Sequence, residues 1–230
     1  MRQVGMYEQQ DRLKNFITPL HLSTTRDYFS RMADQKVHCM RIARKYEEEY
    51  WDGDRRYGYG GYHYIPGRWK PVAEALISTY SLNNTSKILD VGCGKGFLLT
   101  ELRQLLPRCS LIGIDISRHA ILEATQRGEA QIVFQQAEEK YPFSDDTFDL
   151  VISLGCLHNL KLPGLEIALS EIQRVGRAGY IMVESYRSEE ELFNLQCWAL
   201  TAEAFLDPDE WLWVYDRCGY RGDFEFIFFE

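Results

Sequence analysis

Ile88-Leu89-Asp90-Val91-Gly92-Cys93-Gly94-Lys95-Gly96-Phe97-Leu98-Leu99 decides how this 230-residue chain folds. An apolar run ends in a glycine loop, and helix formers follow at once, so the stretch reads as strand, tight turn, helix. The turn needs glycine because the backbone must reverse and let a ligand approach where a Cβ would stand. The helix start beyond it offers unpaired N–H groups and a positive dipole end. Spacing narrows the ligand. A dinucleotide loop reads G-x-G-x-x-G, whereas Gly92, Gly94 and Gly96 make G-x-G-x-G, and Phe97 stands where the third glycine would be. No Gly-Lys-Ser/Thr ending follows, which excludes a P-loop. Asp90 sets a carboxylate beside the loop, a poor neighbour for pyrophosphate and a good one for an ammonium, so the expected guest carries positive charge.

Leu111-Ile112-Gly113-Ile114-Asp115-Ile116-Ser117 reads as a second strand ending in an acid. At that position in a doubly wound sheet a carboxylate accepts hydrogen bonds from ribose hydroxyls. Together the two motifs resemble the class I S-adenosylmethionine-dependent methyltransferases, over roughly residues 86–183. The resemblance implies an α/β fold with a doubly wound, mainly parallel sheet of the seven-stranded type. It also implies S-adenosylmethionine as methyl donor, S-adenosylhomocysteine as product, and contacts to them from Asp90, Gly92, Cys93, Gly94, Asp115, Ile116, Gln136, Ala137, Glu138 and Leu154. Gln136 stands where the family usually has an acid, and its amide oxygen is still an acceptor for the adenine amino group.

The bulk numbers fit that reading. Hydrophobic residues make up 45% and charged residues 26% of the chain, as in a soluble globular protein with a sizeable core. A formal net charge of −8 disfavours a nucleic-acid partner. Six scattered cysteines without a C-x-x-C pair read as reduced thiols of a cytoplasmic protein and argue against zinc. The polar, charged first twenty residues are not a signal peptide, and no run approaches the ~18 apolar residues of a membrane span.

The core reads as alternating elements: strand 86–91, helix 95–106, strand 110–115, helix 117–128, strand 131–135, strand 148–153, helix 164–175 and strand 179–184. A helix from about Pro71 to Tyr80 precedes it. Helices near Glu189–Trp198 and from Asp207 follow, and an antiparallel edge strand is expected at Phe224–Phe229. Residues 1–69 are expected to be a helical cap with a lid loop, and 70–230 the donor-binding core. Within the cap, Thr24 and Asp27 have capping-box spacing, and one or two helices run to about Tyr50. Lying outside the motif-bearing core, these helices form a cap or a homodimer surface.

Residues 51–69 hold four tyrosines, two tryptophans, three arginines and five glycines. So much glycine excludes a regular helix, and so many rings exclude a plain linker. The stretch is either an aromatic loop packed on the core or a lid whose side chains meet the acceptor. The expected acceptor contacts are Arg55, Arg56, Tyr57, Tyr59, Tyr62, His63, Tyr64 and Arg68, joined by Glu184 and Tyr186 after the fifth core strand. Guanidinium groups grip phosphate or carboxylate bidentately.

His158, in the turn after the fourth strand, is the candidate base because its ordinary pKa suits proton removal near neutrality. Asn159 beside it is the candidate for orienting the acceptor. That turn lacks both an Asn/Asp-Pro-Pro-aromatic motif and clustered acids. No DNA-amino activity and no metal are therefore expected. The 52–62 and 192–200 blocks resemble small methyltransferases of bacterial capsule and surface-polysaccharide clusters, including those tied to O-methyl phosphoramidate decoration. This narrower resemblance implies O-methylation of a small phosphorylated or nucleotide- or sugar-linked acceptor. Two alternatives stay open: N-methylation of a phosphorylated amino-alcohol held against the tyrosines, and a donor-binding partner subunit without catalysis.

Overall fold

The computed structural model describes residues 10–60 and 62–230. Six strands are found among them: β1 Lys87–Val91, β2 Ser110–Asp115, β3 Gln131–Phe134, β4 Leu150–Leu154, β5 Gly179–Glu184 and β6 Asp223–Ile227. They form one sheet in the order β3-β2-β1-β4-β5-β6, and every pair is parallel. Strands covered on both faces are nearly continuous apolar runs, which is why β1 and β4 are buried almost throughout. Chain order reverses between β1 and β4, so the ligand crevice of such a sheet opens at their carboxyl ends.

The helices are α1 Thr18–Leu22, α2 Tyr28–Ala33, α3 Lys36–Ala43, α4 Glu48–Trp51, α5 Lys70–Thr79, α6 Phe97–Leu105, α7 Arg118–Arg127, α8 Leu162–Val175, α9 Glu189–Trp198 and α10 Pro208–Arg217. Alternate strand residues serve the two faces. Leu89, Val91, Val151 and Ile181 pack with Leu165 and Leu169 of α8 and Trp211 of α10. Ile88, Ile152 and Tyr180 pack with Leu76 of α5, Leu102 of α6 and Leu195 of α9 on the other face. Asp207 and Glu210 close a capping box on α10. Near the N-terminus, Asp27 is itself the cap of α2, accepting from Ser30 N–H at 3.0 Å, so the expected Thr24–Asp27 box does not form.

β6 departs from expectation. It runs parallel to β5, not antiparallel, and the described residues supply six strands of the sheet rather than seven. The reason lies in what precedes it: α10 carries the chain back along the sheet, and Gly219 at φ +72° turns it, so β6 starts from the same end as β5. Its outer edge is covered by the N-terminal segment. Leu13 bridges Phe224, and Arg12 donates to the carbonyls of Tyr220 and Gly222. Glu225, buried in β6, then captures the start of α1: its carboxylate accepts from the N–H groups of Phe16, Ile17 and Thr18, the Thr18 hydroxyl and the Tyr180 hydroxyl. A carboxylate there satisfies the donors a helix start leaves unpaired.

Candidate active site

A cavity of about 610 Å³ opens at the carboxyl ends of the strands. Gly92 after β1, Asp115 and Ile116 at the end of β2, Ala137 and Glu138 after β3, and Leu154 at the end of β4 line its inner part. Gly92 holds φ +76°, and a Cβ there would come 2.5 Å from Cys156 Sγ. The carboxylate of Asp115 accepts from Gly94 N–H at 2.7 Å and Ser117 N–H at 2.8 Å, which locks the glycine loop to the end of β2. Burial raises the Asp115 pKa against these hydrogen bonds. Asp90 is 4% exposed, and burial plus the charge of Asp115 push its carboxyl up to about 7.

Several predicted contacts stand elsewhere. Gly94 is buried under Trp51, whose ring lies 2.6 Å from where a Cβ would be. Cys93 turns its sulfur toward Gly113 beneath the loop. Gln136 is exposed and donates to Glu139, while Gln135 lines the cavity in its place. The difference is one residue of register at a strand end.

The outer part comes from the N-terminal third of the chain. Arg55, Tyr59, Tyr62 and Arg68 line it as expected, and so do Arg26, Tyr46, Tyr50 and Trp51, which the sequence reading missed. Trp51 donates from Nε1 to Ser117 Oγ at 2.8 Å and to the Tyr46 carbonyl at 2.9 Å, and packs on Tyr62 with centroids 4.6 Å apart. Burial pushes the Tyr59 hydroxyl up to about 12, and that hydroxyl accepts from Leu200 N–H at 2.7 Å. Arg26 stacks on Trp198 and Phe229, 5.5 Å from each ring. His21 orients it: Nε2 donates to the Phe228 carbonyl at 2.8 Å, so Nδ1 is left to accept from Arg26 at 3.0 Å.

Glu184 lines the cavity as expected, whereas Arg56, Tyr57, His63, Tyr64 and Tyr186 do not. Arg56 turns away to pair with Asp34, and Tyr57 packs edge-on against His38. His63 is exposed, and Tyr64 donates to Glu101 beside Phe97. Tyr186 packs into the core cluster around α9.

At the floor between the two parts stand Leu154, Asn159, Glu184 and His158. His158 is 4% exposed, and its burial lowers its pKa while the charge of Glu184 raises it. Asp52, His119 and Glu123 also converge as metal ligands would. The buried Lys95 ammonium lies among them, 2.6 Å from Asp52 and 3.0 Å from Glu123, and makes the group a partly exposed ion-pair cluster tying α4 to α7. A larger hollow of about 780 Å³ lies outside β6 and shares only His21 with the motif-lined cavity.

A doubly wound parallel sheet with a G-x-G-x-G loop, an acid after β2 and a cavity over both is the architecture of S-adenosylmethionine-dependent methyltransferases. The chain belongs to the methyltransferase domain family, whose model matches residues 82–217. It is 28% identical over 173 residues to the malonyl-[acyl-carrier protein] O-methyltransferase of Anoxybacillus flavithermus, covering 70% of this chain and 66% of that one. It is 32% identical over 126 residues to the tRNA (carboxymethyluridine(34)-5-O)-methyltransferase of Arabidopsis thaliana, covering 54% of this chain and 29% of that one. The chain thus spans just under two thirds of the first relative and less than a third of the second. A methyltransferase solved in complex with the Trm112 activator of Haloferax volcanii superposes with a TM-score of 0.54 at 18% identity, covering 85% of this chain and 77% of that one. S-adenosylmethionine is the donor, and the inner cavity fits it: Gly92 on its wall, the strand-end carboxylate of Asp115, and the exposed apolar side chain of Ile116. No described helix is long and apolar enough to cross a membrane.

Proposed function

We propose that this enzyme methylates an oxygen of a small anionic acceptor, phosphorylated or nucleotide- or sugar-linked, in the cytoplasmic assembly of a bacterial surface polysaccharide. One observation carries the acceptor class: three guanidinium groups, Arg26, Arg55 and Arg68, line the outer part of a cavity of about 610 Å³. Guanidinium forks match phosphate and carboxylate oxygens, and the volume suits a small molecule. The net charge of −8 favours such an acceptor over a tRNA. The polysaccharide setting rests on the likeness of the 52–62 and 192–200 blocks to methyltransferases of those gene clusters.

In this reading residues 1–69 form the acceptor cap and 70–230 the donor core. Gly92, Asp115, Ile116, Gln135, Ala137, Glu138 and Leu154 hold the donor, which supplies an electrophilic methyl group on a sulfonium, and the Asp90 carboxylate, buried outside the cavity lining at the end of β1, acts on its ammonium through charge. The chain orients the acceptor through the arginines and excludes water with the rings of Trp51, Tyr59 and Tyr62. N-methylation of a phosphorylated amino-alcohol is the second reading, favoured by the tyrosine faces in the same cavity.

The test is methyl transfer to a panel of sugar phosphates, nucleotide sugars and phosphoethanolamine, with the methylated atom fixed by mass spectrometry. Replacing Arg26, Arg55 or Arg68 by Met is expected to raise acceptor KM about tenfold, with S-adenosylhomocysteine affinity unchanged. Failure of every anionic acceptor, or an unmoved KM in all three variants, overturns the proposal.

A further inference from the structure

The geometry points to Glu184 as the group that takes the acceptor's proton, with His158 as the residue that positions it. This deepens the proposed function and rests on its reading of transfer to a hydroxyl. A backbone N–H can only donate, and that of Glu184 lies 3.2 Å from His158 Nδ1. Nδ1 therefore carries the lone pair, that lone pair is used, and the ring proton sits on Nε2. A neutral imidazole in this tautomer has nothing left with which to accept a proton. Adding a second ring proton would set two N–H groups against each other at Nδ1. The protonated Nε2 faces Glu184 Oε2 at 3.5 Å, a distance that orients the carboxylate electrostatically without a formed hydrogen bond.

Glu184 has what His158 lacks. Glu184 lines the cavity, and its Oε2 is buried without a hydrogen-bond partner. Asn159 presents a second such atom. Its Nδ2 donates to the carbonyls of Gly155 and Cys156, each at 3.0 Å, which fixes the amide orientation and leaves Oδ1 buried and unpartnered. Two buried acceptors without donors are costly unless a ligand supplies hydrogens. The backbone beneath Glu184 is rigid, with its carbonyl accepting from Trp211 Nε1 at 3.2 Å and its strand paired to Ile227.

As the acceptor oxygen bonds to the methyl carbon, the carbon–sulfur bond breaks with its electron pair left on sulfur. The hydroxyl proton passes to the Glu184 carboxylate, while Asn159 Oδ1 is placed to accept a hydrogen bond from the acceptor.

Sinefungin tests this without an acceptor, because it carries an amine where the donor carries its transferable methyl. Calorimetry would compare it with S-adenosylhomocysteine on wild type, Glu184→Gln and His158→Asn, whose amide oxygen can still accept from the Glu184 N–H. Glu184→Gln is expected to lose about tenfold or more in sinefungin affinity, with S-adenosylhomocysteine held within about twofold. His158→Asn is expected to keep most of the sinefungin preference. Equal loss on both ligands in Glu184→Gln, no loss on either, or a preference erased as fully by His158→Asn overturns the assignment. Nitrogen-15 NMR of the wild-type histidine rings gives an independent reading. A protonated Nε2 with bare Nδ1 is expected, and the opposite tautomer or an imidazolium overturns it. Failure of the acceptor reading alone would appear as no turnover across the panel with these affinities intact.

Discussion

Asp90 makes donor-site binding depend on pH in a way that can be worked out in advance. In the ligand-free protein its carboxyl is pushed up to about 7 by burial and by Asp115. About nine tenths of the molecules are then protonated there at pH 6, and about one tenth at pH 8. An ammonium bound beside the loop, as the sequence leads one to expect, would favour the carboxylate, so binding is expected to drive the proton off. If the bound-state pKa returns to the ordinary carboxylate range, affinity for S-adenosylhomocysteine rises about tenfold, ~1.4 kcal/mol, from pH 6 to pH 8. About 0.9 proton is released per ligand at pH 6 and about 0.1 at pH 8. Calorimetry in two buffers of different ionisation heat measures both quantities. Asp90→Asn should flatten the affinity profile and abolish the release. Stability of the free protein must follow the same linkage. The folded pKa lies above the unfolded one, so the contribution of Asp90 is fully present below about 4 and lost as pH rises through about 7. Asp90→Asn should therefore stabilise the free protein at pH 8. Wild-type binding without proton release, or an unchanged slope in Asp90→Asn, would refute the reasoning.

Gly94→Ala places a Cβ 2.6 Å from the Trp51 ring at a φ of +53°, so it should cost ~1–3 kcal/mol in thermal unfolding and weaken S-adenosylhomocysteine in titration. Lys95→Met removes a side chain that is 1% exposed and bonded to Asp52 and Glu123, leaving those acids only His119 to share between them. Chemical denaturation should show a loss of ~2–4 kcal/mol, which high salt does not reproduce in the wild type. The pKa of His21 is lowered to about 4, chiefly by burial and then by Arg26. Its folded value lies below its unfolded one, so its contribution is full above about 6.5 and is lost as pH falls toward 4. After allowance for partial exposure this amounts to ~1–2 kcal/mol, read as a narrowing gap in unfolding free energy between wild type and His21→Gln as the pH is lowered.

The inner part of the site was legible because its signals are local. A glycine loop between an apolar run and an amphipathic helix encodes its own conformation, and an acid at a strand end announces its position. Strand direction is not local. The alternating pattern of Phe224 to Phe229 is the same for either direction, and α10 and Gly219 decide it. Gln135 and Gln136 are indistinguishable by type, so only the end of β3 shows which one faces inward. Arg55 and Arg56 lie in a three-residue 3₁₀ turn, where consecutive side chains diverge by about 120°. One therefore lines the cavity while its neighbour pairs with Asp34.

Arg26 and His21 carried no sequence signal because their placement is decided some 200 residues away. Glu225 accepts from Ile17 N–H across a sequence separation of 208, and that bond fixes where α1 begins. His21 then reaches the Phe228 carbonyl just beyond the carboxyl end of the same strand and sets Arg26 over Trp198 and Phe229. The β6 strand thus anchors the N-terminal segment at one point and orients its arginine at another. Because β6 runs parallel to β5, its carboxyl end lies on the same side of the sheet as Glu184, paired with Ile227. An antiparallel strand would have carried Phe228 to the opposite side, away from the cavity. The reversal of the expected strand direction is thus what lets an arginine from the start of the chain face the same cavity as the strand-end carboxylate.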